Sequence, residues 1–100
     1  MTDYLIIGKN GQLGNALVEN LTGRNQSFLA YSRKELDIAD KKSLERILKK
    51  TRPKVVINTS AYHVIKECED NPLEAFRINC VSVANLARLS KENGSIFVTY

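Results

Sequence analysis

The sequence predicts a single α/β domain built on a parallel sheet with helices packed on its faces. Three observations carry this. Short apolar runs at Leu5–Ile7, Ser27–Tyr31, Val55–Asn58 and Ser95–Tyr100 alternate with longer stretches of helical periodicity, the pattern of strands joined by crossover helices. Val55-Val56-Ile57 is apolar without alternation, as suits a parallel strand covered on both faces. Gly8, Gly11 and Gly14 stand at spacing G-x-x-G-x-x-G between the first apolar run and the first helical pattern, where a phosphate-binding turn needs them.

Strand one is Leu5–Ile7. Gly8 lets the chain turn sharply off the strand, Gly11 lets backbone approach a pyrophosphate, and Gly14 lets the helix lie close to the strand. Asn10, Gln12 and Leu13 complete the turn, and free N–H groups at the positive end of the helix face the anion. Asn10-Gly11 is also a common turn dipeptide, so a plain tight strand-to-helix turn is the alternative. Helix one runs from about Gln12 to Leu21, with Leu13, Leu17, Leu21 and Ala16 on one face, and Gly23 fits a C-terminal cap.

Strand two is Ser27–Tyr31. Ser32-Arg33-Lys34 stands at its end, where an acid commonly holds the ribose 2′-hydroxyl of NAD. A hydroxyl and two cations stand there instead, with no acid before Glu35. Ser32 and Arg33 suit a 2′-phosphate better, so NADP(H) is favoured and NAD(H) is possible. Arg33 and Lys34 pointing into solvent is the plain alternative.

Leu36–Asp40 is a loop, and Asp40 caps a second helix that reaches about Lys50 with Leu44, Ile47 and Leu48 on one face. Arg52-Pro53 stops it, and Val55–Asn58 is strand three. The small residues Thr59-Ser60-Ala61 before Tyr62 let a flat ligand pass close by, or simply make a tight loop. His63 has no second histidine to form a metal pair with and reads as a loop or helix-start residue. Asn71-Pro72-Leu73-Glu74 opens a third helix, which should reach about Glu92 and bury some of Phe76, Val83, Leu86, Ala87 and Leu89. Asn79 lies in its middle, unfavourable by propensity, which hints at a side-chain role. Asn93-Gly94 closes this helix, and Ser95–Tyr100 is strand four.

The expected architecture is therefore Rossmann-like: the first mononucleotide-binding half of a doubly wound sheet, strand order 3-2-1-4, with right-handed crossovers and flanking helices. The ligand is expected at the switch point between strands one and four.

At 100 residues the chain holds one small core. A content of 43% hydrophobic and 26% charged residues is that of a globular domain, which argues against disorder. No apolar run approaches the roughly 18 residues of a membrane span, and Met1-Thr2-Asp3 carries no basic leader, so a cytoplasmic protein with no membrane partner is expected. Cys68 and Cys80 are too few for a disulfide framework and read as buried reduced thiols. Much of the net charge of +4 comes from Lys41, Lys42, Arg46, Lys49, Lys50, Arg52 and Lys54, a solvated helix face with cations near its negative end. No nucleic-acid partner is expected, and no metal.

Several of these segments together resemble the dTDP-4-dehydrorhamnose reductases, extended short-chain dehydrogenases/reductases of nucleotide-sugar metabolism. They are Gly8-Lys9-Asn10-Gly11-Gln12-Leu13-Gly14, Glu35-Leu36-Asp37-Ile38, Arg52–Asn58, Ala61-Tyr62, Cys68-Glu69 and Asn79. The resemblance covers the whole chain. It implies that Gly11, Gln12 and Leu13 touch the pyrophosphate, and that Asp37 and Ile38 border the adenine. It further implies that Ser60, Ala61 and Tyr62 line the path to the nicotinamide, and that Asn79 supports the active site. Thr59-Ser60 replaces two alanines of the family pattern, Lys66 stands where aspartate is usual, and Ser32 stands where many members have an acid.

In this family hydride passes from the nicotinamide to the C4 ketone of the sugar, a tyrosine donates the proton, and a lysine lowers that tyrosine's pKa. The catalytic Ser/Thr and the Tyr-x-x-x-Lys pair are expected after Tyr100, as is the sugar-nucleotide domain. Residues 1–100 are thus expected to be an incomplete NAD(P)-binding domain with no catalytic residue, inactive alone, meeting a dTDP-sugar only in a longer form. A non-catalytic regulatory or binding module of the same fold is the alternative. Strand four would be a hydrophobic edge, so self-association is expected.

Overall fold

The computed structural model describes residues 2–32, 34–59, 72–73 and 78–100. Its elements are β1 (Tyr4–Ile7), α1 (Gln12–Gly23), β2 (Phe28–Tyr31), α2 (Lys41–Thr51), β3 (Val55–Asn58), a π-helical turn (Ile78–Ser82), α3 (Val83–Glu92) and β4 (Ile96–Thr99). All strand pairs are parallel, so the Rossmann-like α/β class holds.

The strand order does not hold. It is β2-β1-β3-β4 where 3-2-1-4 was expected, and burial explains why. An order of 3-2-1 would place β2 inside the sheet, yet β2 is half-buried with Leu29 36% exposed. The segment after β2 forms turns that sink Leu36 and Ile38 into the core. α2 then carries the chain across β1 to its other side. There the continuous apolar run finds the covered central slot it needs: Val56, Ile57 and Asn58 are all buried. The chain leaves β1 to one side and returns on the other, so the switch point lies between β1 and β3, not between β1 and β4. Ile7 is level with both Tyr31 and Asn58, which brings three strand ends flush at that crevice.

Leu5, Ile7 and Val56 meet Leu36, Ile38, Leu44, Leu48, Leu86 and Leu89 in one core beneath α2 and α3. Ile6, equally buried, alternates to the opposite face, where α1 packs on β1. Asp40 caps α2 as expected, accepting from the Ser43 N–H at 3.2 Å and from its hydroxyl at 2.8 Å. At the other end Arg52 turns left-handed at φ 44° and donates its N–H to Leu48 O, a conformation the following Pro53 leaves open while disfavouring another helical residue.

Three local expectations are corrected. The inward face of α1 is Gly14 and Leu21, with Leu17 and Val18 half-buried, while Leu13 and Ala16 are exposed; the helix approaches β1 through its glycine and is rotated accordingly. Gly23 is the last helical residue rather than the cap, and the left-handed residue is Asn25 at φ 61°. Cys80 is exposed, not buried, because it stands in the π turn, outside the face that buries Leu86 and Leu89. Asn79 belongs to that same π turn, so the third helix is not uniform; such turns insert an extra residue into a helix and often mark functional sites. Met1, His63, Cys68 and Phe76 lie outside the described residues.

Candidate functional site

The site grows from the turn between β1 and α1. Gly8 adopts φ 95°, open to glycine without strain. The Gly8 and Lys9 N–H groups both donate to Tyr31 O, at 2.8 and 3.1 Å, and Gly11 N–H donates to Gly8 O at 3.1 Å. The turn is thereby fastened to the end of β2 and folded on itself. Gly11 is the N-cap of α1 and supplies no side-chain cap, and the first turn of the helix carries no acid. The first N–H groups of a helix have no partner within it. Here they belong to Gln12, Leu13 and Gly14, beside an exposed Asn10, Gly11, Gln12 and Leu13. A phosphate group is what this geometry can hold.

Gly14 sets the distance. A β-carbon there would overlap the Gly8 carbonyl oxygen and lie 2.8 Å from its carbon and 2.9 Å from Lys9 Cα. At Gly11 a β-carbon would meet only Gly8 O, at an ordinary 3.6 Å. Gly14 is thus a packing requirement, whereas Gly11 leaves its outer side open.

Thr59 is a residue whose part sequence reasoning missed, since it reads there only as a small residue after strand three and as a departure from alanine. Its hydroxyl donates toward Ile7 O at 2.9 Å and Gly8 O at 3.1 Å, and its N–H donates to Ile7 O at 2.9 Å. It ties the end of β3 to the glycine turn across the switch-point crevice.

The tip of β2 also differs from expectation. Ser32 is buried, and its N–H donates to Glu35 Oε1 at 3.0 Å while its hydroxyl accepts from Glu35 N–H at 3.3 Å. Lys9 Nζ lies 2.9 Å from the same carboxylate oxygen. The bond from the Ser32 backbone, then the one from Lys9, then the Ser32 hydroxyl hold the Glu35 carboxyl down to about 2. An acid therefore does reach the end of β2, by folding back three residues. The signal was legible: Ser-x-x-Glu is the reciprocal capping pattern.

Asp37 is exposed and accepts from Ala39 N–H at 2.9 Å, while the Ile38 side chain is committed to the core at 4% exposure. The structure thus brings Gly8, Asn10, Gly11, Gln12, Leu13, Gly14 and Ser32 to one end of the sheet. Arg33, Ser60, Ala61 and Tyr62 lie outside the described residues, and Asn79 is described by its backbone alone. Among the described residues no group of acids, cysteines or histidines is arranged to hold a metal ion.

The model of the RmlD substrate binding domain matches residues 1–100. The chain belongs to this family. It is 33% identical over 96 residues to a dTDP-4-dehydrorhamnose reductase of Burkholderia thailandensis, covering 96% of this chain and 32% of that protein. It is 32% identical over 93 residues to a dTDP-4-keto-6-deoxy-D-glucose reductase of Streptomyces niveus, covering 92% and 32%. A solved dTDP-4-dehydrorhamnose reductase from Bacillus anthracis, in complex with NADP, superposes with a TM-score of 0.86 at 28% identity, covering 97% of this chain and 35% of that one. This RmlD-family chain spans about a third of the length of these relatives and corresponds to their N-terminal part.

One expectation about catalytic groups needs correction on the sequence itself. Tyr62 has Lys66 four residues on, so Tyr-x-x-x-Lys spacing does occur in the chain, although both residues lie outside the described ones.

Proposed function

We propose that this chain is the dinucleotide-binding part of a 4-keto sugar-nucleotide reductase and that it takes NADP(H) in preference to NAD(H). The observation that carries the reading is the contact of Gly14 on Gly8, which seats an uncapped helix N-terminus against the β1–β3 crevice. The kinship with dTDP-sugar reductases supports the substrate class, and the NADP bound to the Bacillus anthracis relative supports the cofactor.

When bound, the nicotinamide supplies hydride for the C4 ketone of a dTDP-sugar. The residues of this chain bind and orient. Gln12, Leu13 and Gly14 present N–H groups to the pyrophosphate, with Gly8, Asn10 and Gly11 shaping the turn. We assign Ser32 and Arg33 to the adenosine ribose by their place after β2 and, by the family resemblance, Asp37 and Ile38 to the adenine, Ser60, Ala61 and Tyr62 to the path toward the nicotinamide, and Asn79 to support of the active site. No residue here is assigned a catalytic role. No helix among the described residues is long and apolar enough to cross a membrane. In the described sheet β4 is paired on the β3 side, and Ile96 is 65% exposed, which supports self-association along that edge.

The test is a titration of NADPH and NADH into the chain and into Gly11→Val, whose β-carbon makes only an ordinary 3.6 Å contact with Gly8 O while the side chain stands in the way of a pyrophosphate. Uptake of NADPH by the wild type and its loss in Gly11→Val are expected. Binding of neither dinucleotide, or binding indifferent to Gly11→Val, sinks the reading.

A further inference from the structure

We propose that the Lys9–Glu35 ion pair sets how strongly the site discriminates between a dinucleotide that carries a 2′-phosphate and one that does not. This rests on the dinucleotide reading above and adds a specificity-determining pair to it. Lys9 N–H is bonded to Tyr31 O, so Lys9 belongs to the phosphate turn and to the tip of β2 at once. In this fold that tip is where the adenosine ribose lies.

Glu35 Oε1 engages two donors there, the Ser32 N–H at 3.0 Å and Lys9 Nζ at 2.9 Å. The carboxylate acts in two opposed ways. It offers an acceptor to a 2′-hydroxyl, and it repels a 2′-phosphate while occupying the two donors that such a phosphate would use. The side chains of Lys9 and Glu35 are 36% and 48% exposed, so the pair is accessible to a ligand and free to open. Its carboxyl, held near 2, stays charged throughout the physiological range, so the competition is always present. With the charge of Glu35 removed, Lys9 is left as an unpaired cation at the tip of β2.

The experiment is an equilibrium titration of the wild type, Glu35→Gln and Lys9→Gln with NADPH and NADH, and with adenosine 2′,5′-bisphosphate and AMP, which differ only in the 2′-phosphate. Circular dichroism confirms that each variant is folded, and Lys9→Gln carries the test should Glu35→Gln not fold. Glu35→Gln should raise the preference for the 2′-phosphorylated ligand of each pair about three- to tenfold, and Lys9→Gln should lower it by a similar factor, as expected for one charge at a half-exposed site. Preferences that stay within about twofold of the wild type in the folded variants overturn this proposal while leaving the dinucleotide reading intact. Failure of the wild type to bind any of the four ligands overturns both.

Discussion

Gly14 rests directly on the carbonyl of Gly8, with no room for a single carbon between them. The close approach of α1 to β1 depends on this contact, and so does the direction in which the helix N-terminus points. Gly14→Ala must push helix and strand apart or bend the turn, because its neighbours are backbone atoms that cannot rotate away. A loss of about 2–3 kcal/mol or more in a urea or guanidinium unfolding curve is expected, at the upper end of overpacking costs. Gly23→Ala is the control: nothing lies within 4 Å of its β-carbon, and an alanine in the last helical position should stabilise by about 0.5 kcal/mol.

Thr59 joins β3 to the glycine turn through one hydroxyl that reaches two carbonyls. Thr59→Val keeps the shape and the N–H bond to Ile7 O but removes the hydroxyl donor. About 1 kcal/mol of stability should be lost, the usual cost of one such bond. Amide hydrogen exchange at Gly11, whose N–H rests on Gly8 O, should quicken if the turn loosens. Unchanged exchange there would show that the turn holds its shape without Thr59.

The elements of this fold were largely legible because each is written in local chemistry. The Val55–Asn58 run, the Asp40 cap and the Arg52-Pro53 stop all appear where periodicity and capping place them. The strand order was not legible, because it depends on a comparison between two strands. Phe28–Tyr31 and Val55–Asn58 both look apolar, and only the burial of the second and the exposure of Leu29 in the first decide which is central. Within the site, Gly8, Gly11 and Gly14 could be read from their spacing. The Glu35 carboxylate was written in the Ser32-x-x-Glu35 capping spacing, but a search for an acid at the tip of strand two itself passes over it, since its side chain runs backward to Ser32. Thr59 was legible as a small residue after strand three but not as a tie, because nothing along the chain says which carbonyls its hydroxyl reaches.

Glu35 makes the stability of the fold depend on acid pH. Its carboxyl titrates near 2 in the folded chain against an ordinary 4.5, so the folded state binds its proton less readily than the unfolded chain does. The stabilisation from its bonds to Ser32 and Lys9 is then complete above pH 4.5 and is lost as the pH falls toward 2. Glu35→Gln should melt below the wild type at neutral pH, and the gap should close across that window. Thermal melts at a series of pH values would show it. A gap that stays constant down to pH 2 would mean that Glu35 acts through its shape rather than its charge.

The outer side of β4 offers the most direct test of association. Ile96 is 65% exposed, and β4 runs parallel to β3 with matched partners from Ile96 to Thr99. Among the described residues β4 is paired on the β3 side alone; a hydrophobic edge strand offers backbone donors and acceptors to another chain, and a charged side chain on such an edge opposes that pairing. Sedimentation velocity on the chain should therefore show mass rising with concentration, and Ile96→Lys should move the distribution toward the monomer without lowering the melting temperature by more than a few degrees. A wild-type chain that sediments as a single monomeric species at every concentration would show that this edge does not recruit another copy.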